Sequence, residues 1–223
     1  MNLTWLLQTL PGPLVYVAIG LLIGVESIGI PVPGETALIA ATLASRHPAA
    51  AFHPMGIALV ASAGAIIGDS IGYWVGREKG NQLLGWMVRR FPHHVTPAHL
   101  GWARELMGSY GSGAVFGGRF VALLRMLAGP LAGTMGMHYP TFLAANAAGG
   151  ILWAGGTVGV LWVLGEVAQT WLSRAGWIVL AGLLVAVLLG SRKINSTMQA
   201  RVRAYAEAHP EEMADWKATQ AGE

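Results

Sequence analysis

The chain contains no cysteine, so neither a disulfide framework nor a thiolate site can be built from it. Charge is also scarce. Asp, Glu, Lys and Arg make up 11% of the 223 residues, against about 25% in an average soluble domain. With 54% hydrophobic residues, this excludes a disordered chain and leaves too little polar surface for a soluble globule. The 14 Lys and Arg flank apolar segments instead of forming the clustered basic face that nucleic acid requires. Neither a positively charged start nor a small-residue cleavage site marks residues 1–10 as a cleavable signal.

Long apolar runs are abundant. The first runs from Leu14 to Ile30 with Glu26 as its only charge. IPVPGE at 30–35 follows, and its two prolines cannot continue a regular helix. The next apolar stretch, Thr36 to Ser45, would rise only ~15 Å as a helix, half the hydrocarbon thickness. It is a re-entrant candidate. Met55 to Gly76 is a full-length span carrying only Asp69. Glycines at 64, 68, 72, 76 and 80 line one helix face, a pattern of close helix packing.

Residues 77–110 hold five Lys or Arg. They read as a polar connector with an interfacial amphipathic piece at 82–91, and His93, His94 and His99 in it as solvated or interfacial. No acidic partner stands beside these histidines at ligand spacing, so no metal site and no cofactor are expected. Residues 113–137 are apolar again but carry Arg119 and Arg125 among glycines and Pro130. A straight span would bury both arginines at about 2.5–3.5 kcal/mol each. A second broken, re-entrant hairpin lining a wet cavity lowers that cost. Tyr139 to Gly165 and Ala175 to Ser191 are uncharged spans separated by a short polar turn, with Trp171 and Trp177 as interfacial anchors.

The expected fold is an all-α integral membrane protein with about four full spans and two re-entrant hairpins, near 30–46 and 111–137. The membrane domain covers 1–191, and 192–223 form a cytoplasmic, partly helical tail interrupted at Pro210. The connector and tail carry ten Lys and Arg, the opposite side only Arg46 and Arg174. Both termini therefore belong in the cytoplasm. Hairpins entering from opposite faces are the arrangement of inverted-repeat transporters, although the two halves do not visibly align.

Ionisable residues at membrane depth point to function. Arg119 and Arg125 offer planar donor forks suited to a phosphate headgroup. On an unbroken helix they would diverge by about 120°, so convergence needs a break. Glu26, Glu35 and Asp69 are the candidates for proton coupling, as membrane carboxylates serve in relays. The bland alternative is that these five groups only neutralise one another.

Three motifs give a resemblance. They are Glu26 before IPVPGE with Glu35; Gly68, Asp69 and Tyr73 followed by Gly76, Arg77 and Gly80; and Phe116, Gly118, Arg119, Phe120, Arg125 and Gly133. Asn146 and Trp153 extend the match. Over roughly residues 14–190 the chain resembles the DedA family of bacterial membrane proteins, also described by the VTT (SNARE-associated) domain. Ala122 stands where the family often has proline, and Leu161, Trp162 and Gly165 replace a late Gly-Tyr-x-x-Gly. The resemblance implies a lipid transporter of the bacterial cytoplasmic membrane, associated with returning undecaprenyl phosphate or a related phospholipid and dependent on proton motive force. It implies Glu26, Glu35, Arg119 and Arg125 as functional residues, with Asp69 a weaker candidate. Partners are then membrane lipids and protons, with a homo-oligomer allowed.

Two transport-free readings compete, alongside a proton-coupled carrier of a small ion or anion. A membrane assembly factor would pack the glycine stripe against a partner span. An intramembrane enzyme is disfavoured: H-E-x-x-H and G-x-S-x-G are both absent, and His138 has no acid nearby in sequence.

Overall fold

The computed structural model describes residues 11–48, 50–92, 95–170, 192–193 and 195–214. All regular structure among them is helical. The elements are α1 (Gly12–Ile28), α2 (Gly34–Ala44), α3 (Pro54–Arg90), α4 (Pro97–Tyr110), α5 (Ser112–Gly118), α6 (Ala122–Thr134) and α7 (Tyr139–Thr170), followed by α8, residues 195–208. Two stretches among the described residues are long and apolar enough to cross a bilayer, Pro54–Gly80 and Tyr139–Leu164. At ~1.5 Å per residue each exceeds a ~30 Å hydrocarbon core. α2, with 11 residues, reaches about half of it. The last apolar stretch and its tryptophan anchors, 171–191, lie outside the described residues.

The glycine stripe is consumed inside the chain. A Cβ at Gly64 or Gly68 would run into the Gly20 or Gly24 carbonyl of α1, and Gly72 and Gly76 receive Pro130 of α6. The small residues let α3 hold α1 and α6 at backbone contact, so this face is not free for a partner span. Gly80, the fifth of the series, differs. Its φ of 21° and ψ of −102° interrupt the helix, and the kink separates the apolar part of α3 from 81–90.

Four sequence expectations need correction. The connector is mostly helix, because α3 continues through Arg90 and α4 follows. His99 is not solvated: it is buried and closes a capping box at the start of α4. Its N–H donates to the Thr96 hydroxyl at 3.3 Å, and its Nδ1 accepts from the Thr96 N–H at 3.2 Å. Pro130, expected to break the second hairpin, sits inside α6, its ring accommodated by the glycines of α3. The polar turn expected at 166–174 begins as helix, since α7 runs on to Thr170. Among the described residues of the tail, helix covers 195–208, stops at His209 and restarts at Pro210, where a first-turn proline costs no hydrogen bond.

Candidate functional site

The first broken hairpin is made by Gly29 and the two prolines. Gly29 ends α1 at φ 115°, a left-handed conformation natural to glycine. Its N–H bonds to the Glu26 carbonyl at 3.1 Å, and the Ile30 N–H to that of Val25 at 3.4 Å. Residues 30–33 then run without regular structure into α2. Glu26 thus stands in the last turn of α1, where helix carbonyls disfavour a negative charge, and Glu35 in the first turn of α2, where the dipole favours one. Gly34 lies between them. A side chain there would strike the Glu26 carboxylate, which gives the glycine of IPVPGE its reason.

The second hairpin turns at 119–121. Arg119 caps α5 in a helical conformation, and Val121 is extended at φ −118° and ψ 117°. α6 starts at Ala122. The bend forms without the proline common at this position, because an extended residue followed by the first helical residue is already the geometry that proline would impose.

The break sends the two arginines into different surroundings. Arg119 is fully buried and pairs with the fully buried Asp69 of α3. Its guanidinium also donates to the Ala65 carbonyl at 3.1 Å and to Asn146 Oδ1 of α7. Asn146 in turn donates to the Ile66 carbonyl at 3.3 Å. Arg125, in the first turn of α6, donates to Glu26 Oε1 at 2.6 Å and to Glu35 Oε2 at 3.3 Å. Its Cζ lies 4.5 Å from the Trp153 ring centroid, a cation–π contact. The side chains of Arg125, Glu26 and Glu35 are 6%, 16% and 50% exposed. A cavity of about 530 Å³ opens beside this cluster, lined by Glu26, Pro31, Pro33, Ala122, Met126 and Met198.

All five ionisable residues singled out in the sequence are therefore paired, in two separate units. The sequence did not assign roles to the residues that serve them from α7. Asn146 and Trp153 are seven residues apart, hence on one helix face. Gly149 and Gly150 between them pass against Arg119. Tyr73 and Arg77 belong to the frame. The Tyr73 hydroxyl bonds to the Met137 carbonyl and accepts from Arg77 at 2.8 Å, while its ring stacks on Phe142 at 4.8 Å. Gly129 and Gly133 press α6 onto the Asp69 and Tyr73 backbone. The Gly-Asp-x-x-x-Tyr motif thus docks the second hairpin.

Residues 31–163 match the VTT domain. The chain is 48% identical over 197 residues to an uncharacterized membrane protein of Mycobacterium tuberculosis, covering 86% of this chain and 90% of that protein. It is 46% identical to one of Mycobacterium leprae over 197 residues, 86% of this chain and 92% of that protein. To one of Synechocystis it is 37% identical over 183 residues, 80% and 82% of the two chains. No solved structure matches the chain.

Proposed function

Because the chain belongs to the VTT-domain family of membrane proteins, we propose that it is a lipid transporter of the bacterial cytoplasmic membrane. Its cargo is a lipid phosphate, undecaprenyl phosphate or a related phospholipid, and its movement is coupled to protons. The observation that carries the reading is Arg125 shared between Glu26 and Glu35 beside an open cavity. An arginine held by two carboxylates is a site of exchange. Protonating one carboxylate removes a competitor and leaves donors of the guanidinium for a phosphate oxygen. Deprotonation returns the carboxylate to Arg125 and expels the phosphate. Glu35, half exposed, is the carboxylate that protons reach first. The headgroup is thereby handed between fixed charges instead of crossing hydrocarbon bare, which is costly.

Arg119 and Asp69 serve this cycle indirectly, by fixing the hairpin that carries Arg125. Nε and Nη1 of Arg119 make no hydrogen bond among the described residues. They are the donors a headgroup would meet if the hairpin opened. In the membrane, the two broken hairpins enter from opposite faces, with four full spans and both termini cytoplasmic. No step in the cycle makes or breaks a covalent bond other than to a proton, so the protein acts as a carrier and not as an enzyme.

The test is translocation of labelled lipid phosphate in proteoliposomes under an imposed pH gradient. Arg125→Ala is expected to abolish it and Glu35→Gln to remove its response to the gradient. Wild-type rates in Arg125→Ala would sink the proposal. A small anion would use the same exchange, and solid-supported-membrane currents without lipid movement would identify it.

A further inference from the structure

A second cavity, about 600 Å³, lies on the far side of the hairpin, between α4, α5 and α8. Its size is that of an ordinary ligand pocket. Leu106, Val121 and Leu124 form its walls, and Gly113 and Gly117 its floor. A Cβ at either glycine would meet nothing within 4 Å, so these glycines serve no helix contact here and leave the floor open. The rim is basic. Lys193, Thr197 and Arg201, spaced by four along the C-terminal helical region, line it. Both cations are exposed, and neither forms an ion pair among the described residues. Met198 borders both this groove and the Glu26 cavity.

We infer that this groove seats a hydrocarbon chain of an anionic membrane phospholipid, with Lys193 and Arg201 on its phosphate. An apolar trough with unneutralised cations along one edge matches the two ends of such a lipid. In a membrane protein the surrounding bilayer supplies the ligand. The inference rests on membrane residence and not on the transport cycle, because neither cation belongs to the Arg125 cluster. The walls at Val121 and Leu124 flank the turn that holds Arg119, so a chain seated there braces the hairpin from behind.

The experiment is native mass spectrometry of the delipidated full-length protein titrated with phosphatidylglycerol and, separately, phosphatidylcholine. The wild type is expected to bind phosphatidylglycerol about tenfold more tightly. The double variant Lys193→Ala/Arg201→Ala should lose that preference. Gly117→Leu, whose Cβ meets nothing within 4 Å, should weaken both lipids, and Gly113→Leu gives an independent filling. Equal affinity for the two lipids in the wild type, or undiminished binding in the double variant or in both glycine variants, overturns the inference. So does loss of binding in Arg125→Ala alone, which would put the phosphate at the ion-pair cluster and leave the transport reading standing. If both glycine variants melt well below wild type, the groove is filled by the chain itself, and the inference fails in that case too.

Discussion

Arg119 and Arg125 are six residues apart on one hairpin, and the fold treats them in opposite ways. Arg119 is sealed. It meets one carboxylate, one carboxamide and one backbone carbonyl, all without solvent exposure. Arg125 is shared between two carboxylates, one of them half exposed, at the edge of a cavity. A buried pair exchanges nothing and is costly to break, whereas a pair with a surplus carboxylate at an opening can exchange partners at little cost. Under the proposed exchange, two arginines thus divide into a strut and a switch, and the division comes from which helix each guanidinium reaches.

The largest effect should come from breaking the strut. Removing one partner of a buried ion pair leaves an uncompensated charge and costs about 3–5 kcal/mol. Asp69→Ala should therefore lower the melting temperature in detergent more than any other charge substitution in the chain. Replacing the whole pair, as Asp69→Leu with Arg119→Met, should restore most of the loss, since apolar residues of similar volume commonly replace such pairs without penalty. If Asp69→Ala melts with the wild type, Arg119 is not held as a strut and the contrast collapses.

The switch should behave differently. Arg125→Ala strands Glu26 in the last turn of α1 and should cost about 1–3 kcal/mol, the range for a buried polar group left without its partner. Glu35→Gln should cost less than about 1 kcal/mol, because half-exposed pairs contribute little. The same Glu35→Gln protein should nonetheless lose the pH response of lipid movement. A large stability loss with an intact pH response would reverse the assignment of strut and switch.

Much of this arrangement was legible in the sequence. The first hairpin could be located because Pro31 and Pro33 forbid a continuous helix, and the second because two arginines in an apolar run demand a break. The short length of α2 followed from the apolar run itself. What could not be read was pairing. Asp69 and Arg119 are fifty residues apart, and only the packing of α6 on α3 through Gly129 and Gly133 brings them together. Both arginines looked equally suited to a headgroup, since nothing local separates a sealed guanidinium from an open one. Pro130 was misjudged for a related reason: the space that tolerates it belongs to Gly72 and Gly76 on another helix. His99 was read as solvated or interfacial because its capping role needs the conformation of Thr96, not only its identity.

A smaller effect tests the start of α4, where charge is handled by a cap. Burial lowers the pKa of His99 from its ordinary 6.5, so folding favours the neutral ring. The folded value lies below the unfolded one. The contribution is therefore present above about pH 6.5 and is lost as pH falls from there through the folded value. Thermal melts in detergent between pH 8 and pH 5 should show this loss. In His99→Gln, which keeps the capping-box geometry without a titrating ring, that part of the pH dependence should vanish. An unchanged profile in the variant would move the dependence to another group.

The smallest effect concerns the bend that separates strut from switch. Val121 is already extended and Ala122 is the first residue of α6, where a backbone N–H has no helical acceptor. Proline at this position fits the backbone as it stands and narrows only the unfolded ensemble. Ala122→Pro should therefore raise stability by about 0.4–1 kcal/mol, while lipid movement and its pH response stay at wild-type levels. Ala122 lines the Glu26 cavity, so the variant also reports on whether that wall must move. A more stable protein with slowed translocation would mean that the turn at 119–121 flexes during the cycle, and that the strut is released at each turnover instead of standing still.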